Sequence, residues 1–235
     1  MIPYYEPFHT LIQRLAATPR VELLRRNFAT PLHSTIHLGN MAQFLEKKFG
    51  FALPEEDWPL LFMPTEMDIA WITRPEAQLP PGCDRLTGCI SLVNFTESLC
   101  LPARYHLDKI NPAHAPFAHC SYFETGGAED FDYRAFLHFV PGQGQAPNVR
   151  LFDRPDVLPL TLSMGEYVQA ALAWHGAYGW QFLYLPLLVF QQLPPVTRQK
   201  VYDLRRVLPA LFPDADWSII ATKREYFDTE QALAS

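Results

Sequence analysis

The chain has 235 residues, 49% of them hydrophobic and 19% charged, with a formal net charge of −6 and a pI near 5.7. That length suits one large domain with a full core, and the apolar content excludes a disordered chain. The acidic balance argues against a surface built for nucleic-acid phosphates and leaves two readings, a face for a basic partner or an ordinary soluble surface.

Phe8, Leu11, Ile12 and Leu15 share one helical face and predict a helix at the N-terminus. After Thr18-Pro19, the spacing of Val21, Leu24 and Phe28 predicts a second helix, followed by a connector from Thr30 to Gly39. Asn40 and Gln43 read as a capping box for a helix carrying Met41, Phe44, Leu45 and Phe49, stopped by Gly50. Leu53-Pro54 opens another helix, with proline in the first position and Glu55, Glu56 and Asp57 where the helix dipole favours acids. Met67 to Ile72 predicts a strand, Pro80-Pro81-Gly82 a turn, and Gly88 to Phe95 the next strand. Leu101 to His119 is rich in proline and histidine without a period and reads as a long excursion. Tyr133 to Val140 and Asn148 to Phe152 read as a hairpin around Pro141-Gly142-Gln143-Gly144-Gln145.

Ser163-Met164-Gly165-Glu166 is a second capping box, launching a helix that packs Tyr167, Ala170, Ala171 and Trp174 and stops at Gly176. Trp180 to Phe190 is too apolar for a surface helix, and Pro186 interrupts it. Val201, Leu204, Leu208 and Leu211 place a helix over Val196 to Leu211, and Trp217 to Thr222 reads as a final strand.

The stretch from Phe49-Gly50-Phe51 through Leu53-Pro54 and its acids to Trp71 and Gly88-x-Ile90 resembles the SUKH superfamily. That superfamily includes yeast cell-wall synthesis regulators and many bacterial toxin-immunity proteins. A second block, Phe136 to Val140, Val149 to Phe152 and Leu162 to Tyr167, is similar to its later strands and following helix. Together the blocks span roughly Asn40 to Trp174, leaving an N-terminal helical arm (about 1–39) and a C-terminal helical extension (about 177–235) on a single domain. The expected fold is α+β: a mostly antiparallel, twisted sheet with helices before and after it packed against the sheet. The resemblance implies a protein-binding module, commonly one that neutralises a toxin by covering it.

The candidate chemistry is sparse. His33 and His37 stand four apart but lack the Glu of a His-Glu-x-x-His metalloprotease helix. His106, His114, His119 and Cys120 carry zinc-ligand atoms, at a spacing that matches no structural zinc site. Gly142-x-Gly144 lacks the Lys-Ser/Thr of a phosphate loop, and no Gly-x-Ser-x-Gly is present. Cys83, Cys89, Cys100 and Cys120 form no C-x-x-C pair and read as free thiols.

No catalytic residue, metal or cofactor is therefore called for, and the expected partner is a protein, in one reading a basic toxin domain, rather than nucleic acid or membrane. Candidate binding residues are Trp71, which with Trp58, Trp174 and Trp180 reads as core or, where exposed, as an aromatic anchor, and the acids Glu124, Glu129, Asp130 and Asp132, which read as an acid/base pair, an acidic edge or a solvated loop. The alternatives are a hydrolytic or metal-dependent enzyme using the histidine-rich segments, and a regulatory scaffold without a toxin. The N-terminus has no leader-like basic and apolar regions, and the longest apolar run, Phe182 to Phe190, falls far short of the roughly 20 residues of a membrane span. A cytoplasmic protein is expected.

Overall fold

The computed structural model describes residues 4–28, 38–62, 66–100, 120–124, 134–140, 142–153 and 156–228. They form an α+β fold with two antiparallel sheets, one of three strands in the order β1-β2-β3 and one of four in the order β4-β5-β6-β7. The strands are β1 (Val21–Phe28), β2 (Glu66–Thr73), β3 (Thr87–Val93), β4 (Cys120–Tyr122), β5 (Arg134–His138), β6 (Asn148–Asp153) and β7 (Asp156–Pro159). Helices α1 (Tyr5–Ala17), α2 (Leu38–Phe49), α3 (Phe95–Cys100), α4 (Met164–Ala173), α5 (Leu187–Gln192), α6 (Pro195–Leu211), α7 (Ser218–Thr222) and α8 (Arg224–Asp228) precede, interrupt and follow them.

The strands expected near Met67, Ile90, Phe136 and Val149 all form, and the hairpin joins β5 to β6 as its loop predicted. The outer edge of β3 is shared. Its first half meets residues 176–178, through Cys89 N–H to Gly176 O (2.8 Å) and Tyr178 N–H to Thr87 O (2.8 Å). Its second half meets the end of the other sheet, through Val93 N–H to Phe123 O (2.9 Å) and a single bridge between Leu92 and Glu124. The two sheets therefore join at Glu124.

Three local expectations are corrected. Residues 21–28 form strand β1, not a helix, and pair antiparallel with β2. A bulge between Leu23 and Arg25 shifts the register by one residue, leaves Leu24 exposed and breaks the alternation of the strand. The resulting spacing mimics a helical face. Trp217 to Thr222 is not a strand but the short helix α7 with its preceding residue, because Asp216 Oδ1 accepts the Ser218 N–H (2.8 Å) and Trp217 Nε1–H donates to Phe212 O (3.0 Å). Helix α2 starts at Leu38, so Asn40 lies inside its first turn and is not the cap.

Other boundaries follow simple chemistry. The turn after Leu53-Pro54 is 3₁₀ over Glu55–Phe62, with Pro59 inside it unable to donate an α-helical hydrogen bond. The predicted box on α4 forms reciprocally: Glu166 N–H to Ser163 Oγ (3.2 Å) and Ser163 N–H to Glu166 Oε2 (2.7 Å). Trp180–Tyr184 is a buried 3₁₀ turn, and Pro186 separates it from α5. Among the described residues, no helix is long and apolar enough to cross a membrane.

Trp71 and Gly88 depend on each other for packing. They face one another across β2 and β3. A Cβ on Gly88 would lie 2.1 Å from Trp71 Nε1, so only glycine leaves room for the indole. The ring then stands edge-on to Phe212 (centroids 5.7 Å apart) and donates Nε1–H to His175 O (2.7 Å). One side chain thus ties the three-stranded sheet to the turn after α4 and the end of α6.

Candidate functional site

The expected binding residues fall in different environments. Trp71 is buried at 1% exposure and serves the core as just described. Glu124 is buried at 3%, where it accepts the Tyr167 O–H (2.6 Å) and a longer contact from Gln181 Nε2 (3.4 Å). Burial pushes its carboxyl up from the usual 4.5 to about 7, despite those two donors. Neither side chain presents itself to a partner. Glu129, Asp130 and Asp132 lie outside the described residues, as do His33, His37, His106, His114 and His119. Cys120 is buried beside Phe136, and among the described residues no group of three or more His, Cys, Asp and Glu could hold a metal ion. Cys83, Cys89 and Cys120 carry reduced thiols and form no disulfide.

Acidic residues reach the surface elsewhere, on the 3₁₀ turn that Leu53-Pro54 opens. Glu55 and Glu56 are exposed and Trp58 is half-buried beside them, its Nε1–H donating to Leu53 O (3.0 Å). Asp57 points the other way. It is buried at 3%, and its Oδ1 accepts the Gly165 N–H (2.9 Å) at the start of α4. That contact draws the exposed Glu166 alongside, and the Asp57 carboxyl is raised by burial and by the nearby charges of Glu56 and Glu166, against the lowering effect of the Gly165 N–H. A Cβ on Gly165 would meet Asp57 Oδ1 at 2.5 Å, so the clasp requires this glycine. The sequence showed the three acids as helix-start residues. It gave no sign that the middle one faces inward, because its partner is 108 residues away.

His175 is another buried polar residue that sequence reasoning missed. It follows Trp174 in a left-handed backbone conformation (φ 55°) and stacks between Phe212 and Trp217, with centroids 4.7 and 5.0 Å away. Nδ1–H faces Ala173 O (3.1 Å), which leaves Nε2 as an acceptor for Arg14 Nη1 (3.4 Å). Burial, reinforced by the Arg14 charge, holds its titration down at about 4, so the ring is neutral at pH 7.

Two concavities flank this region. A cleft of about 680 Å³ opens between the end of α1 and the end of α6, with Arg14 and Arg20 among its walls. A second, of about 350 Å³, lies at the foot of β2 and β3 next to Tyr178 and Lys200. The ammonium of Lys200 sits 5.2 Å from the centre of the Tyr178 ring.

Compared with known proteins, the chain matches no family model, no curated sequence and no solved structure.

Proposed function

We propose that the protein is a protein-binding module of the immunity type, which neutralises a cognate toxin by binding and covering it. One observation carries the reading. The Leu53-Pro54 turn, part of the SUKH-like pattern, sets Glu55 and Glu56 in solvent beside a half-buried Trp58 while its third acid, Asp57, anchors it to α4. An acidic edge next to an aromatic ring on a rigid support is what a basic partner surface would meet. The formal charge of −6 adds long-range attraction that raises the rate of encounter with such a partner. Trp71 and Glu124 are buried and do not contribute to this face.

Affinity capture of the tagged protein from its source cells, with mass spectrometry of what it retains, tests the reading. The expected result is one stoichiometric protein with a basic, toxin-like domain, released by salt and not retained by an E55K/E56K bait. Capture of many unrelated proteins, or of none by folded bait, would overturn it.

A further inference from the structure

We infer that the cleft between α1 and the end of α6 binds an organic carboxylate, its acid group on Arg14 and its apolar body against the exposed Ala17, Pro19 and Pro213. The volume of about 680 Å³ falls inside the range of small-molecule sites, roughly 300–1,000 Å³. The wall is about half apolar, and its charged groups are Arg14, Arg20 and Asp214, which can orient one charged end of a ligand.

Arg14 is the group that defines the ligand. It is half-buried, lines the cleft, and has one terminal nitrogen 3.4 Å from His175 Nε2. That imidazole is a neutral acceptor, held in place by Ala173 O behind it and by the rings of Phe212 and Trp217. Among the described residues, no carboxylate lies within ion-pair distance of Arg14 or Arg20. A guanidinium offers five N–H donors in a planar fork that fits a carboxylate with two parallel bonds, and the contact with His175 uses one of them.

The two arginines have different roles. Arg20 Nη1 donates to Ala210 O (2.8 Å), closing the end of α6, where a cation offsets the carbonyl ends of the helix. Arg14 sits in the last turn of α1 and gains from the same effect, but that role requires neither the imidazole behind it nor the cleft in front. The charge count also selects the ligand. Asp214 offsets one of the two arginine charges in the wall, so the charge left over suits a monoanion better than a dianion such as phosphate. This inference is independent of the proposed protein partner, which meets Glu55 and Glu56.

Binding is measured on the full chain by thermal unfolding and by tryptophan emission, since Trp217 stacks on the imidazole that holds Arg14. The probes are hexanoate, its neutral isostere hexanamide, and inorganic phosphate. Hexanoate at concentrations well above its Kd is expected to raise Tm by about 2–4 °C and shift the emission, while the amide and phosphate do neither. Arg14→Gln abolishes the response, and Arg14→Lys, which keeps the charge without the fork, weakens binding at least about tenfold. An equal response to hexanamide or to phosphate, no response in the wild type, or an undiminished response in Arg14→Gln overturns the inference. Should Arg14→Gln fail to fold, hexanoate against hexanamide on the wild type decides.

Discussion

Glu124 and His175 are both buried, and their titrations are displaced in opposite senses, so together they dictate an unusual dependence of stability on pH. Glu124 titrates at about 7 in the folded chain against 4.5 when free. Its folded value is raised, so it adds stability that is full below pH 4.5 and is lost as pH climbs through 7, a change of about 3 kcal/mol. His175 titrates at about 4 folded against 6.5 when free. Its folded value is depressed, so it adds stability that is full above pH 6.5 and is lost as pH falls through 4, again about 3 kcal/mol. Between pH 4.5 and 6.5 the two contributions oppose each other. Glu124→Gln keeps an oxygen for the Tyr167 hydroxyl but cannot titrate, and so removes the Glu124 contribution from the profile. Urea unfolding of both proteins from pH 4 to 8 gives the difference profile, in which all the surface carboxylates cancel. Relative to wild type, the variant is expected to lose about 3 kcal/mol as pH is lowered from 7 to 4.5. Parallel profiles for the two proteins would refute the burial argument for Glu124. His175→Asn, chosen because asparagine tolerates the left-handed backbone at that site, tests the other half and should show the opposite slope.

Four further outcomes follow from packing and capping. Gly88→Ala drives a methyl to 2.1 Å from the Trp71 ring and should cost at least about 1–3 kcal/mol in urea unfolding. Gly82→Ala, with nothing within 4 Å but a φ of +76°, should cost only the left-handed strain of about 1–2 kcal/mol. Asp57→Ala leaves the Gly165 N–H buried without its acceptor and should lose about 1–3 kcal/mol, whereas Asp57→Asn retains a carbonyl and should lose less; equal losses would contradict the clasp. Ser163→Ala removes half of the capping box and should lower stability by about 1 kcal/mol, seen as a lower urea midpoint with unchanged slope.

The sequence disclosed those parts of the fold whose signals are local. Strands β2, β3, β5 and β6 are apolar runs bounded by proline, glycine and polar turns, and the box at Ser163 needs only residues three apart. Strand β1 was hidden because its bulge replaces alternation by a helix-like spacing. The Trp217 segment misled because its isoleucines favour a strand, while Asp216 and the Phe212 carbonyl tie it into a helix start. The buried polar contacts were not legible for a different reason. Glu124 meets Tyr167 across 43 residues, Trp71 meets His175 across 104, and Arg14 meets His175 across 161. Nothing in the spacing of any one segment records such a pair, so an acid that reads as a surface edge, such as Glu124, or as a helix start, such as Asp57, can turn inward.

Growth rescue tests the central claim most directly. The gene for the captured partner is induced in a sensitive host with either the wild-type protein or its E55K/E56K variant, both checked for equal abundance and folding. The expected result is that the partner arrests growth, that the wild type restores it, and that the charge-reversed variant does not. A partner that leaves growth unaffected, or a variant that protects as well as the wild type, would contradict it.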